Sequence, residues 1–277
     1  MSTSAVRVAL VTGAAQGIGL SVALRLADDG LDVALNDIVA KSEQLQNVVS
    51  EIEAKGRRAL AVPADVTSEE DVKSMVDRVV EELGGLDVMV ANAGISLGKS
   101  FLETSVDEWE RIMAVNVRGV MLSYKYAAVQ MIKQGRGGRI IGACSTGGKQ
   151  GYFNYSAYCT SKFAVRGLTQ STAQELRPYN ITVNTYAPGV ILTNLGEFIW
   201  MPLHIDVEVQ FLVVTDHPDD AINGGPGSTA KKLAGLPPTT PHAPPEVVAS
   251  IVSYIARPES YFITGQSIAL NGGIYFD

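Results

Sequence analysis

Short apolar runs alternate with longer amphipathic stretches along most of the chain, and this alternation limits the possible folds more than any other feature. The runs fall at residues 6–11, 32–36, 59–62, 86–90, 139–143, 181–185 and 267–270. They are rich in Val, Ile and Leu and do not alternate cleanly with polar residues. Strands of that kind are covered on both faces, as in a parallel sheet. The stretches between them repeat at helical spacing. Leu45, Val48, Val49 and Ile52 fall at i, i+3, i+4 and i+7, as do Val72, Met75, Val76 and Val79. Ser68, followed by acidic residues, is the expected N-cap of the second of these helices. Further helices are expected over 17–29, 106–134 and 157–177, the last stopped by Pro178. Repeated β-α alternation predicts an α/β fold: a doubly wound parallel sheet of about seven strands, helices on both faces, one domain over 1–277.

One segment breaks the pattern. Residues 196–245 hold eight of the twelve prolines and all three histidines, with GGPG at 224–227 and LPPTTPHAPP at 236–245. This composition predicts loop or polyproline-like spacer within a lid over the site, with helical pieces near 195–200 and 206–213. His204, His217 and His242 lack metal-ligand spacing and are expected to be solvated loop residues, so no metal is expected. Cys144 and Cys159 are too few for a disulfide framework and are expected to be small buried thiols. The net charge of −7 disfavours a nucleic-acid partner. The first apolar run is too short for a signal sequence, and no stretch approaches a membrane span. A cytoplasmic protein is expected.

The first run leads into Thr12-Gly13-Ala14-Ala15-Gln16-Gly17-Ile18-Gly19, which opens the first helix. Glycines here permit a tight turn and let the backbone approach a pyrophosphate, while the helix N-terminus supplies amide donors. Asp37 closes the second strand candidate, so the motif has strand, helix and acid where a Rossmann dinucleotide site requires them. The alternative is a glycine-rich turn with no ligand. A carboxylate at Asp37 accepts bonds from ribose hydroxyls and repels a 2′-phosphate. Ile38 and Val39 bring no cation, so the expected cofactor is NAD.

Tyr158 and Lys162 are spaced i, i+4 at a helix start and share one face, and Ser145 follows the fifth apolar run. Hydride transfer between an alcohol and a nicotinamide needs a proton moved at the substrate oxygen. Free tyrosine, with a pKa near ~10, is too weak an acid to serve as a base at neutral pH. A nearby ammonium favours phenolate, and lowering the pKa by about three units needs roughly 4 kcal/mol. A serine hydroxyl can orient the oxygen and stabilise its developing charge. Singly, each residue is an ordinary packing, surface or capping residue. Together, downstream of a dinucleotide turn, they point to catalysis.

The chain resembles the short-chain dehydrogenase/reductase family. The resemblance rests on TGAAQGIG at 12–19, Asp37, Asp65-Val66, Asn92-Ala93-Gly94, Asn116, Ser145, YCTSK at 158–162, Pro188-Gly189 and TGQSIALNGG at 264–273. It implies Tyr158 as general acid/base, Lys162 as its pKa-lowering and ribose-binding partner, Ser145 as the residue that positions the substrate, and Asn116 as holder of a proton-relaying water. It further implies that Gly13, Gln16, Gly17, Ile18, Gly19 and Asp37 bind the dinucleotide, that Asp65 and Val66 flank its adenine, and that Asn92 and Gly94 approach it. Pro188, Gly189, Val190 and Thr193 would lie at the nicotinamide. A homotetramer (or dimer) through the fourth and fifth long helices is also implied. IIGACSTGG and YCTSKFAVRGLTQ resemble the acetoin/diacetyl reductase (2,3-butanediol dehydrogenase) branch, where a Cys precedes the catalytic Ser as Cys144 precedes Ser145. That likeness stops at residues 196–245.

The expected pocket wall is Ile95, Leu97, Gln150, Tyr152, Phe153, Leu195, Phe198, Trp200 and Met201, which suits a hydrophobic or cyclic secondary alcohol or ketone. The alternatives are a small diol or acetoin-type substrate and, in another class, a non-catalytic dinucleotide-binding scaffold or sensor. The second would be expected to lack Tyr158 or Lys162. An epimerase or dehydratase of nucleotide sugars would need a larger substrate domain and a grip for a diphosphate.

Overall fold

In the computed structural model, which describes residues 6–193, 213–214, 220–225 and 227–276, each of the seven apolar runs forms a strand. The first half contains β1 (Val8–Thr12), α1 (Gly17–Asp28), β2 (Asp32–Asn36), α2 (Ser42–Ala54), β3 (Ala59–Ala61), α3 (Glu69–Leu83), β4 (Val88–Ala91), α4 (Val106–Met113) and α5 (Val120–Gln134). Then follow β5 (Gly138–Ala143), α6 (Ser156–Leu176), β6 (Ile181–Pro188), β7 (Val190–Leu192), β8 (Val213–Val214), α7 (Asp220–Asn223), α8 (Ser228–Leu233), β9 (His242–Ala243), α9 (Glu246–Ala256) and β10 (Ser267–Leu270).

The main sheet has the order β10-β6-β5-β4-β1-β2-β3, with every pair parallel. Alternate residues of each strand feed opposite faces, which is why the apolar runs show no polar period. Ala9 and Val11 of β1 pack with Val22 and Leu26 of α1, Leu45 and Ile52 of α2, and Val248 and Val252 of α9. Val8 and Leu10 pack on the other side with Val72 and Val79 of α3, Met131 of α5 and Val165 of α6. The chain winds outward both ways from β1 and β4. Ligands of such sheets bind at the carboxyl ends of the strands flanking that reversal.

Local signals act as expected at several ends. Ser68 caps α3 by accepting from the Asp71 amide at 3.2 Å. Pro178 lies in a 3-10 turn just after α6. The expected helix over 106–134 differs: a π turn at Ala114–Gly119 separates α4 from α5. The widened turn brings Gly119 against Val66, where a Cβ would lie 2.9 Å from Val66 Cγ2, and it carries Asn116. Such turns mark places where helical regularity yields to a local requirement.

A second parallel sheet, ordered β8-β7-β9, ties the segment after Pro188-Gly189 to residues 213–214 and 242–243. His242 is therefore on a short strand rather than in a loop; it is exposed, and its Nδ1 lies 3.3 Å from Lys231 Nζ. Of the helical pieces expected near 195–200 and 206–213, only Val213 is described, and it begins β8. His204 and His217 lie outside the described residues. Ala234 and Leu236, just past α8, pack against Tyr155 and Tyr158. Among the described residues, no helix is long and apolar enough to cross a membrane.

Candidate active site

The glycine turn is built by sterics. Gly13 has φ +65°, and a Cβ there would lie 3.0 Å from Ala93 Cα; a Cβ on Gly19 would run into the Gly13 carbonyl oxygen. Asn92 fixes this turn from the neighbouring strand. Its Nδ2 donates to the Thr12 and Gly13 carbonyls at 2.9 and 3.1 Å. The Tyr186 hydroxyl donates to Asn92 Oδ1 at 2.7 Å, linking β6 to the same lock. No side chain caps the first turn of α1, so the bare backbone and helix N-terminus fit a pyrophosphate.

A groove of about 530 Å³ runs over this turn. Gly13, Gln16, Gly17, Ile18, Gly19, Asp37, Asp65, Val66, Asn92 and Gly94 line it, as do Pro188 and Thr193 further along. Gly189 and Val190 are not among the lining residues. A Cβ on Gly189 would meet Asn271, and Ile191 rather than Val190 is among the lining residues. Strand alternation turns neighbouring side chains opposite ways.

Asp37 is committed to backbone amides. Its carboxylate accepts from Ala15 N at 3.1 Å and from Ile38 N at 2.9 Å. Burial pushes its pKa above the ordinary carboxylate value, against the pull of those amides and of Lys41. Lys41 also lines the groove and donates to Gln16 Oε1 at 2.9 Å. Lys41 stands four residues past Asp37, outside the motif's spacing, and a turn at Val39–Lys41 folds it back.

At the other end, β5 and α6 converge. Ser145 follows β5 and is 3% exposed; its Oγ accepts from Gly147 N at 3.0 Å and favours the ionised form of the Tyr158 phenol. Lys162 Nζ lies 5.4 Å from the centre of the Tyr158 ring and donates to the Ala143 carbonyl at 3.0 Å. Ser145, Tyr158 and Lys162 all line the groove. Burial lowers the Lys162 pKa to about 8. Burial also pushes the Tyr158 phenol well above its ordinary value, outweighing the Ser145 hydrogen bond. The expected acidification is thus reversed in the protein alone: desolvation of a phenolate costs more than its neighbours return.

Asn116 does not line the groove. Its Oδ1 accepts from Ile95 N at 2.8 Å, and its Nδ2 donates to Ile95 O at 2.8 Å and to Ser161 Oγ at 3.0 Å. The side chain clamps the loop after β4 onto α6, behind Gly94, whose Cβ position is 3.4 Å from Lys162 Nζ.

Of the expected substrate wall, Ile95 lines the groove. Leu97 packs inward with Ile112 and Ala157. Gln150 donates to the Tyr152 hydroxyl at 2.9 Å, and Tyr152 packs on the Tyr155–Tyr158 cluster behind the groove. Phe153 is 72% exposed. These last three are not among the residues that line the groove. Leu195, Phe198, Trp200 and Met201 lie outside the described residues. Ser96 and Arg111 line the groove without having been anticipated; a loop serine and a helix arginine carry no sequence signal of their own. Both cysteines are free and buried, and the described residues contain no cluster that could hold a metal.

The family model for short chain dehydrogenases matches residues 7–201. The chain belongs to the short-chain dehydrogenase/reductase family. A relative of that name from Armillaria gallica is 49% identical over 276 residues, spanning 100% of this chain and 98% of the relative. An L-2,3-butanediol dehydrogenase of Corynebacterium glutamicum is 39% identical, with 98% of this chain and 99% of that protein covered. Among solved structures, a blue fluorescent protein from a metagenomic library, in complex with NADPH, superposes with a TM-score of 0.80 at 31% identity, covering 98% of each chain. This short-chain dehydrogenase/reductase therefore carries the family's sheet as its own residues build it, and it is an oxidoreductase by family.

Proposed function

We propose that the protein interconverts a secondary alcohol and a ketone with NAD(H). The observation that carries this reading is the convergence of Ser145, Tyr158 and Lys162 in one groove with the glycine turn and Asp37. A bound dinucleotide would supply or accept the hydride. Tyr158 Oη gives its proton to the substrate carbonyl oxygen, and Ser145 Oγ hydrogen-bonds the same oxygen. The phenolate left behind is stabilised by the Lys162 ammonium on the same helix face. A phenol kept protonated by burial suits ketone reduction. Asn116 positions rather than reacts: it holds the loop that faces Lys162. Asp65, Val66, Asn92, Gly94, Pro188 and Thr193 complete the dinucleotide contacts. The test is NADH absorbance against a panel of ketones and alcohols, cyclic and aryl members included; no turnover with any of them would sink the proposal.

Ile95 and Ile191, which line the same groove as Ser145 and Tyr158, favour a hydrophobic or cyclic substrate. A small diol is the second reading, favoured by the 39% identity to an L-2,3-butanediol dehydrogenase.

Asp37 supports NAD(H), and Lys41 is the cation that opposes it. Wild type is expected to prefer NAD(H) at least tenfold in kcat/KM. Asp37→Ser is expected to shift preference toward NADP(H) by at least tenfold, about 1.4 kcal/mol, and Lys41→Ala on that background to cancel the shift. A wild-type preference for NADP(H) would overturn the assignment.

A homotetramer is part of the same proposal. Met121, Val129 and Ile132 on α5 and Phe163 on α6 expose apolar side chains that a helix-face interface would cover. Light scattering should give four times 29.4 kDa; a monomer mass would refute it.

A further inference from the structure

Tyr186 of β6 joins the two ends of the groove. Its backbone belongs to the proton-transfer end: it pairs in register with Ala143, and its carbonyl accepts from Cys144 N at 2.9 Å. Ala143 holds Lys162 Nζ through its own carbonyl, and Ser145 is the next residue after Cys144. The side chain of Tyr186 belongs to the glycine-turn end. The residue is 1% exposed, and its hydroxyl donates to Asn92 Oδ1 at 2.7 Å. Phenylalanine would serve packing as well; the hydroxyl is what reaches Asn92.

Asn92 Nδ2 donates to the Thr12 and Gly13 carbonyls. It fills space that two absent side chains leave, since a Cβ would lie 3.0 Å from it on Gly13 and 2.6 Å on Gly19. An amide has an oxygen end that accepts and a nitrogen end that donates. The turn requires the nitrogen, because the oxygen would meet two carbonyl oxygens, and the phenol proton requires the oxygen on the side of β6. The two demands select one orientation of one side chain. The Gly13 carbonyl in turn abuts Gly19 in the first turn of α1. A shift of that carbonyl therefore displaces the helix N-terminus whose amides suit a pyrophosphate.

We propose that Tyr186 is a positioning residue for the dinucleotide, its hydroxyl orienting the Asn92 amide and, through it, the pyrophosphate-binding turn. This rests on a dinucleotide lying over that turn. A site held beforehand in its binding arrangement binds more tightly, because the fraction of competent sites scales the intrinsic affinity. The hydroxyl acts at the pyrophosphate, so its contribution belongs to every ligand that carries one and is indifferent to the nicotinamide. Tyr124 is the control: it is also buried, its hydroxyl is bonded to Thr169 at 3.0 Å, and it does not line the groove.

The experiment titrates NADH and ADP-ribose into the intact chain by calorimetry. Tyr186→Phe is expected to raise Kd about fivefold for both, the worth of one hydrogen bond. KM for NADH should rise in step, with KM for the ketone changing less than about twofold. Tyr124→Phe also loses one buried hydrogen bond, so it should lower Tm comparably and leave both Kd values within about twofold of wild type. On an Asn92→Ala background, adding Tyr186→Phe should change Kd by less than about twofold, because a residue that acts through another has no effect in its absence. Unchanged affinity in Tyr186→Phe would overturn the proposal. So would a loss confined to NADH, which would put the phenol against the nicotinamide half, and so would an undiminished loss on the Asn92→Ala background. If Asn92→Ala does not fold, the comparison of NADH with ADP-ribose decides by itself. A wild type that binds neither ligand would strike the dinucleotide reading itself, and the inference with it.

Discussion

Tyr158→Phe is expected to lower kcat by roughly a hundredfold to ten-thousandfold, the usual worth of a positioned acid, while the groove keeps its dinucleotide. The substitution removes one oxygen and none of the hydrogen bonds that hold the glycine turn. The glycine turn is locked separately by Asn92 and Tyr186. Dinucleotide affinity, measured by fluorescence quenching, should therefore stay within about threefold of wild type. Because burial holds the phenol protonated far into alkaline solution, the pH response of ketone reduction is set by Lys162. Its charge is present below about pH 8 and lost above it. Reduction should hold up to about pH 8 and then decline, and the residual rate of Tyr158→Phe should show no such decline. Turnover within tenfold of wild type in the variant would remove Tyr158 from the chemistry.

Lys162→Met is expected to destroy turnover and stabilise the fold. In the folded protein the amine titrates near pH 8 against an ordinary 10.5, because burial disfavours its charged form. The unfolded chain therefore binds this proton more tightly between those values. The penalty is complete below about pH 8 and is relieved as pH rises toward 10.5. A displacement of this size corresponds to about 3 kcal/mol. Loss of the bond to the Ala143 carbonyl returns about 1 kcal/mol of it. The net gain at pH 7 is about 2 kcal/mol, several degrees in Tm for a chain of this size. Urea titrations at pH 7 and pH 10 give the check: the variant's advantage must be large at the first and shrink at the second. A variant less stable than wild type at pH 7 would contradict the charge-burial account. The site holds this lysine at a cost to the fold, as expected of a group kept for its chemistry.

The seven strands of the main sheet were legible because burial on both faces leaves an apolar signature that survives without any partner in view. The two-residue strands β8 and β9 carry no period, and only pairing with β7 defines them. Helix α9 was not anticipated: beyond Glu246 in its first turn, its polar positions are Ser250, Ser253 and Tyr254, too mild to outline a stripe. The π turn escaped because its causes, Val66 beneath Gly119 and the Ile95 backbone beside Asn116, come from distant parts of the chain. Tyr158 and Lys162 were readable as a helix-face pair. The balance between their charges and burial was not, since desolvation depends on what the fold packs around them. Lys41 and Ser96 reach the groove through turns whose direction no local spacing records.

Strand β7 is stitched along one edge to Val213–Val214 and along the other to His242–Ala243. Whatever chain runs between those seams is hemmed at both ends to the same three residues, next to the part of the groove lined by Pro188, Ile191 and Thr193. Closing a longer or shorter span between fixed anchors changes the free energy by only about 0.6 kcal/mol per doubling of length. The fold therefore accepts a change of length between these two seams at little cost in free energy, provided that Ala234 and Leu236 keep their packing on Tyr155 and Tyr158.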